Sequence, residues 1–483
     1  MSLDFDIQMS RATEPLFYRA PHNPKMIPME YQLAGVEYAI SREHMLFGDA
    51  PGLGKTAEAL MLGNAIEAKK TLIVCPASLR LNWAREIGMW STIPEPSVYT
   101  VLKSKDGVSL QHDFVVISYA LLNNPSILAA IMAGRWDHLI LDEAHALKDP
   151  KGNKRTQILT APDLIPSVVG RITMVSGTIL PNQPIECYNA LRLLNWDAID
   201  RMSLTAFRNE YYELGSGFVR GPVWDEGKQS NVWKVHWSDS VRNVPTNLAD
   251  LQRRLRKYVM VRRLKEQVLT QLPAKQWHPF PVGMTADIRR ALKHPGWKEA
   301  QKLYEMDQDA FDVGVPVDGA ISTARRLLGE AKAPLVAEFV EELLLEGVKK
   351  IVVAAWHHTV LDFMKEHLAK HGLVYMDGST SANKKQAAVD QFQSDDGIHI
   401  ILGQMMPLGE GWTLTAAQDA VICEPDWVPG KNEQLLDRIH RIGQEGEYII
   451  GHVPVVPDTL DERILATAIA KDRNIFKALD API

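Results

Sequence analysis

Two α/β blocks, each organised around a parallel sheet, with a mainly helical insertion between them: that is the fold class the sequence predicts, and three observations carry it. Short, continuously apolar strands alternate with amphipathic helices up to about Asn195, the signature of a parallel sheet covered on both faces. The alternation stops there and resumes near residue 333. Glycine-rich or charged motifs follow directly on three predicted strand ends, where open α/β sheets put their ligands. The division that follows is a lead-in over 1–30, a first lobe over 31–196, an insertion over 197–332 and a second lobe over 333–483.

Residues 1–30, rich in Pro and Met without a period, read as an irregular lead-in ending at Pro28. Tyr31-Gln32 opens a helical pattern (Leu33, Val36, Tyr38, Ile40) that runs towards an apolar strand, Met45–Phe47. Beyond it the patterns predict a helix over Thr56–Lys69, a strand over Thr71–Val74 and a helix over Leu79–Met89. Strands are expected over Phe114–Ile117, His138–Leu141 and Arg171–Val175. The insertion combines helical pattern with Trp-bearing polar loops (Trp224, Trp233, Trp237). It also holds the densest basic run, Arg253-Arg254-Leu255-Arg256-Lys257, with Arg262, Arg263 and Lys265 close behind, which reads either as a solvated helix face or as part of a basic groove. The second block has expected helices at Leu335–Glu346, Val360–Lys370, Ser381–Gln393 and Lys431–Ile442. Its expected strands are Lys350–Ala355, Leu373–Met376, Ile398–Leu402, Ala420–Cys423 and Tyr448–Val453, and a helix from Asp461 to about Leu479 closes it.

With 483 residues and 46% hydrophobic content, core size is not limiting. A net charge of −6 argues against a uniformly basic nucleic-acid coat but leaves room for a local basic groove. Cys75, Cys187 and Cys423 sit in apolar segments without metal or disulfide spacing, so packing roles in a reducing compartment are expected. No leader pattern and no bilayer-length apolar stretch is visible, so the expectation is a cytoplasmic protein, bacterial or viral-host, with no membrane partner.

The organising stretch is Gly48–Thr56, GDAPGLGKT, between a strand and a helix. Gly52 and Gly54 allow close backbone approach to phosphate oxygens, and a helix N-terminus favours an anion. Asp49, Pro51, Gly52, Leu53, Gly54, Lys55 and Thr56 are read together as a nucleotide cradle, Lys55 for the β- and γ-phosphates and Thr56 as a Mg²⁺ ligand. The strict pattern has glycine where this chain has Asp49, so companions are needed. Asp142-Glu143, after the buried run Leu139-Ile140-Leu141, supplies a metal carboxylate in Asp142 and a water-positioning base in Glu143. In the second block, Gln434 to Gln444 offers Arg438 and Arg441, three residues apart on nearly the same helix face, as transition-state cations. By itself such a pair is most often just a polar surface.

Tyr31-Gln32, GDAPGLGKT, Val74-Cys75-Pro76-Ala77-Ser78-Leu79 with Asn82-Trp83, Ile117-Ser118-Tyr119, Asp142-Glu143-Ala144-His145, Ser176-Gly177-Thr178 and Asp437–Gln444 (DRIHRIGQ) occur in the order found in superfamily-two helicases. The ending HRIGQ, and Arg262-Arg263-Leu264-Lys265 with Leu272-Pro273, resemble the Swi/Snf-type double-stranded-DNA translocases. Leu414-Thr415-Ala416-Ala417 leading to Trp427 and Pro429, and Gly329–Pro334, are most similar to the annealing-helicase branch. The resemblance implies two RecA-like lobes, ATP with Mg²⁺, duplex or forked DNA as partner, and a monomer. It implies that Gln32 reads adenine, that Gly409, Glu410 and Gly411 line the cleft from the second lobe, and that Arg438 and Arg441 are arginine fingers with Gln434 beside them. Ser176 and Thr178 would couple nucleotide state to DNA. His145 would bridge the acidic motif to Gln444 or Ser176, or be a packed histidine. Ser78, Ser118, Tyr119, Lys384 and Lys385 are the candidates for DNA contact. The chain departs from the family's usual residues at Ala50-Pro51, Ile179 and Trp412-Thr413. A duplex-DNA translocase that remodels or re-anneals is the reading this favours; a strand-separating helicase and a nucleotide-gated clamp are the alternatives.

Overall fold

The computed structural model describes residues 3–149, 153–177, 180, 183–225, 230–269, 272–298, 319–409, 411–426, 428–441 and 443–481. Thr178, Ile179, Glu410, Trp427 and Ile442 lie outside these. The chain gathers into two compact units, one of Met1–Tyr211, Asn247–Leu272 and Ile475–Ile483, the other of Tyr212–Thr246 and Pro273–Asn474.

In the first unit, β1 (Met45–Phe47), β2 (Thr71–Cys75), β3 (Val98–Thr100), β4 (Phe114–Ser118), β5 (Trp136–Asp142) and β6 (Val169–Val175) share one sheet. All pairings are parallel, in the order β3-β4-β2-β5-β6-β1, and a two-residue strand, Met260–Val261, is added beside β1. Every residue of β2 and β4 is buried, as a strand covered on both faces requires. Helices α1 (Leu3–Arg11), α2 (Glu30–Ile40) and α3 (Lys55–Ala65) pack with Met45, Phe47, Ile73, Cys75 and Val116 in one core.

The second unit repeats the plan. Counting β7 (Tyr212–Asp225), β8 (Ser230–Pro245) and β9 (the Met260–Val261 strand above), its sheet is formed by β10 (Ala274–Pro281), β11 (Ile351–Ala355), β12 (Leu373–Met376), β13 (Ile400–Gln404), β14 (Asp419–Ile422) and β15 (Tyr448–Val455). The order is β10-β15-β14-β11-β13-β12, all parallel. The two-residue strand period divides its side chains between two cores: Val352, Ala354, Ile401, Ala420 and Ile422 on one face, Ile351, Val353, Ala355, Ile400, Leu402 and Val421 on the other. The two RecA-like parallel-sheet lobes of the sequence reading are therefore present.

In the lead-in and the expected insertion the structure differs from expectation. The Trp-bearing stretch is not loop: Trp224 lies on β7 and Trp233 and Trp237 on β8, an antiparallel hairpin. Its strands mix aromatic and β-branched residues with polar ones, which suits a pleat but imitates a loop when polarity alone is weighed. The lead-in contains α1, held by long-range contacts such as Ser10 Oγ donating to Met260 O at 2.7 Å. Pro334 does not begin a helix; it lies inside one spanning Gly319–Leu345, where Ala333, Val336 and Ala337 are buried, so packing outweighs the missing hydrogen bond. β10 carries Pro279 and Pro281, and its position at a sheet edge leaves their missing N–H groups without a partner to fail.

Candidate nucleotide-binding site

β1 delivers the chain into Gly48–Thr56, and α3 begins inside that stretch at Lys55. Gly52 (φ 87°) and Gly54 (φ 76°) both take left-handed backbone, which a side chain resists. Gly54 has a second reason to lack a side chain, because a Cβ there would collide with Gln32 Nε2. Gln32 Nε2 and the Tyr31 hydroxyl both donate to Leu53 O at 3.0 Å, and Gln32 Oε1 accepts from Met29 N at 2.9 Å. The helix expected to read the base is thus tied to the loop through Leu53, which is fully buried. Lys55 Nζ curls onto Asp49 O (2.8 Å) and Ala50 O (3.1 Å). Burial lowers its pKa, while Glu143, Asp49, Glu58 and Asp142, in that order, oppose the shift. Thr56 follows Lys55 in the first turn of α3.

β5 ends on Asp142, only 8% exposed, with Trp83 Nε1 donating to Oδ2 at 2.7 Å and Glu143 N to Oδ1 at 2.9 Å. Burial and the Glu143 charge push its carboxyl up to about 7, against the Trp83 bond and the Lys55 charge. Glu143 has positive φ, 51°, so the chain turns sharply between the two carboxylates. His145 Nδ1 stands 3.1 Å from Glu143 Oε2, a partner within its own motif. Ser176 is buried at the end of β6 with its N–H on Phe47 O at 3.1 Å, and a Cβ on Gly177 would stand 2.8 Å from the Pro51 ring. The Ser-Gly-Thr motif therefore presses against the glycine loop.

The basic run is neither a solvated face nor a groove at its key positions. Arg256, Arg262 and Arg263 are buried, as is Lys265. Arg263 is bonded to both Asp49 and Glu58 with no exposure of any of the three side chains, and donates to Tyr31 O at 2.7 Å. This corrects the expectation for Asp49: its carboxylate is sequestered by Arg263, and it serves the loop from behind, through shape. Asp49 is where the strict glycine-loop pattern was broken, and the break is filled by Arg263.

In the second unit the helix Pro429–Ile439 carries Gln434 and Arg438, and Arg438 is 4% exposed. The helix ends before Arg441, because His440 leaves helical backbone (ψ 74°); the two arginines do not share a helix face. Arg441 instead reaches back, Nε to Asp437 O at 3.1 Å and Nη1 to Gly411 O and Thr413 Oγ1, both at 3.3 Å. Gly409 approaches Gln434, with 4.0 Å between an added Cβ and that of Gln434. Gln444 Nε2 donates to Ala417 O (2.8 Å) and Ile439 O (3.2 Å), pinning the turn after the helix. Thus Gly409, Gly411, Gln434 and Arg441 come together in one unit, as Lys55, Asp142 and Glu143 do in the other.

Among the candidates for DNA contact, Lys384 is exposed and Ser78 partly so. Ser118, Tyr119 and Lys385, also expected to contact DNA, are buried in this structure. The Tyr119 hydroxyl donates to Asp142 O at 2.7 Å, so this ring fixes the acidic motif from within. Sequence reasoning missed the support roles of Trp83, Glu58 and Arg263; the Asp49 departure was the available signal.

Two parallel-sheet units, one with a glycine-rich loop between a strand and a helix and an acidic motif at another strand end, are the architecture of a helicase-like ATPase. The SNF2-related domain matches residues 31–315 and the helicase conserved C-terminal domain residues 335–443, and the chain belongs to the SNF2-related family. It is 30% identical over 442 residues to the SWI/SNF-related matrix-associated actin-dependent regulator of chromatin subfamily A-like protein 1 of Xenopus tropicalis, covering 90% of this chain and 43% of that protein. It is 28% identical over 454 residues to the human DNA annealing helicase and endonuclease ZRANB3, covering 90% of this chain and 39% of that protein. The chain thus spans less than half the length of these relatives. The Sulfolobus solfataricus SWI2/SNF2 ATPase core in complex with dsDNA aligns with a TM-score of 0.43 at 18% identity, over 96% of this chain and 99% of that one. The two curated relatives are animal proteins and lend no support to a bacterial or viral-host origin. No described helix is long and apolar enough to cross a membrane.

Proposed function

We propose that the chain is a DNA-dependent ATPase that moves along duplex DNA by nucleotide-driven closure of its two lobes, remodelling or re-annealing DNA or displacing bound protein. One observation carries the reading: the Lys55 ammonium of the glycine loop lies within the electrostatic reach of Glu143 and Asp142, which arrive from a different strand. That is the set phosphoryl transfer needs, a cation at the phosphates beside a metal carboxylate and a water-positioning base. The hard oxygen donors Asp142 and Thr56 suit Mg²⁺, which when bound would neutralise charge on the β- and γ-phosphates. Lys55 would release the Asp49 and Ala50 carbonyls to hold phosphate. Glu143 would orient and take a proton from the attacking water, with His145 fixing its rotamer. Gln32 would recognise the base, and Gly409, Glu410, Gly411 and Gln434 would complete the cleft when the second lobe closes. Arg438 and Arg441 would then meet the developing charge, so hydrolysis requires closure and closure becomes motion.

The likeness to a protein named as a DNA annealing helicase supports DNA as the partner, and duplex or forked DNA is the form this reading assigns. Contact through phosphates gives affinity without sequence readout and a steep salt dependence; Ser78 and Lys384 are the partly or fully exposed candidates. Ser176, Thr178 and Gln444 would relay nucleotide state to that surface. By this reading 31–196 and 333–483 are the two working lobes and 197–332 the insertion, with 247–272 and 475–483 packed into the first unit. ATP turnover measured with duplex DNA, single-stranded DNA and RNA, alongside triplex displacement, tests the reading. Duplex-stimulated turnover with triplex displacement and no unwinding is expected; stimulation by single strands alone would overturn it in favour of a strand-separating helicase.

A further inference from the structure

Arg262 and Asp480 have no part in the expected catalytic set, yet they make a built contact beneath it. The Asp480 carboxylate takes two nitrogens of Arg262, Nε at 2.8 Å on Oδ1 and Nη2 at 2.9 Å on Oδ2, with side-chain exposures of 9% and 7%. Arg262 Nη1 donates to Gly48 O at 2.7 Å and to Gly177 O at 3.1 Å. Gly48 opens the glycine loop, and Gly177 is the centre of the Ser-Gly-Thr motif that packs on Pro51. A guanidinium is a rigid plane, so fixing Nε and Nη2 on one carboxylate fixes where Nη1 points. Arg256 braces the arrangement, Nη2 on Leu479 O at 2.7 Å and Nη1 on Arg262 O at 2.9 Å. Arg11 and Gln252 both hold Ala481 O, at 3.3 and 3.1 Å. Four side chains of the first unit thus grip residues 479–481, three of them on carbonyls at or just beyond the end of the helix Leu460–Leu479, where the cationic donors Arg256 and Arg11 are favoured.

We propose that Asp480 is a positioning residue for the nucleotide site. By orienting Arg262 it sets the spacing between the Gly48 and Gly177 carbonyls, so the loop's affinity for nucleotide depends on the docking of residues 475–481. The chain enters this segment from residues of the second unit, at Asn474, so the clasp is a covalent route by which events there can reach the phosphate loop. The proposal rests on reading Gly48–Thr56 as a nucleotide loop, and its test separates the two.

The full chain is compared as wild type, Asp480→Asn, Asp480→Ala and Arg262→Lys. Amide hydrogen exchange is followed over 48–56 and 176–177 and over β4 and β5, and KM and kcat for ATP are measured. Asp480→Asn should speed exchange at the loop and at Gly177 about tenfold, the scale of one charge-assisted hydrogen bond, with β4 and β5 unchanged. KM for ATP should rise by about the same factor, more than kcat falls, and Arg262→Lys should reproduce the pattern. Adding Asp480→Ala to Arg262→Lys should then cost little more, because both act through one route. Uniformly faster exchange throughout the first unit, or an unchanged loop and KM in both Asp480 variants, overturns the proposal. If wild type fails to turn over ATP while the loop amides still respond to Asp480→Asn, the clasp stands and the motor reading falls.

Discussion

The strand that ends on Asp142 also carries a histidine whose charged form is disfavoured where it lies, and this gives a pH dependence whose sign follows from the structure. His138 is fully buried on β5, its Nε2 2.7 Å from Thr173 Oγ1, and burial, with Arg171 adding to it, lowers its pKa from 6.5 to about 3. Its folded-state pKa lies below the unfolded value, so the unfolded chain takes the proton first. The stabilisation is complete above pH 6.5 and is lost as pH falls from there towards 3. For a full one-proton difference the loss is about 1.4 kcal/mol per pH unit, or roughly 2 kcal/mol between pH 8 and pH 5. Urea unfolding of wild type and His138→Gln at several pH values in this range isolates the term, because other titrating groups cancel in the difference. The stability of wild type relative to the variant should fall by that amount on acidification. A difference that stays flat from pH 8 to pH 5 would refute the burial argument.

The remaining predictions concern the site itself. Lys55→Ala should abolish ATP-dependent activity, and Glu143→Gln should still bind ATP yet leave it unhydrolysed; binding by nucleotide titration and turnover by phosphate release report the two effects separately. Gly54→Ala combines strained backbone, about 1–2 kcal/mol, with a clash at Gln32, so ATP affinity should fall about tenfold or more by titration. Trp83→Phe removes the indole donor from buried Asp142, and the Mg²⁺ concentration for half-maximal turnover should shift, whereas Trp83 as mere packing predicts no shift. Arg438→Ala or Arg441→Ala should spare duplex binding while lowering turnover about 10³-fold or more, and near-normal hydrolysis would remove the finger role.

Much of the architecture was legible because strand burial on two faces leaves an apolar run that composition cannot disguise. β1 and β12 fall on their expected Met45–Phe47 and Leu373–Met376, and no end of the other predicted strands moves by more than two residues. What escaped notice depends on distant parts of the chain. β9 is two residues long and exists because Met260 and Val261 pair with Leu46 and Phe47. Nothing local foretold that Arg262 and Arg263 would turn inward, since the carboxylates that neutralise them lie more than 200 residues away. Tyr119 was expected to contact DNA, and nothing local showed that its hydroxyl would turn inward to Asp142 O. The left-handed turns of the glycine loop were legible from Gly52 and Gly54; the buried ion pairs behind the loop were not, because ion pairing across the sequence leaves no local period.

The near-contact of Gly177 with the Pro51 ring makes these two positions a single evolutionary choice. A relative with a flexible side chain in place of Pro51 could yield and accept more bulk at the facing position, whereas the rigid ring here cannot. Swapping one of the pair between homologues should therefore do more harm than swapping both.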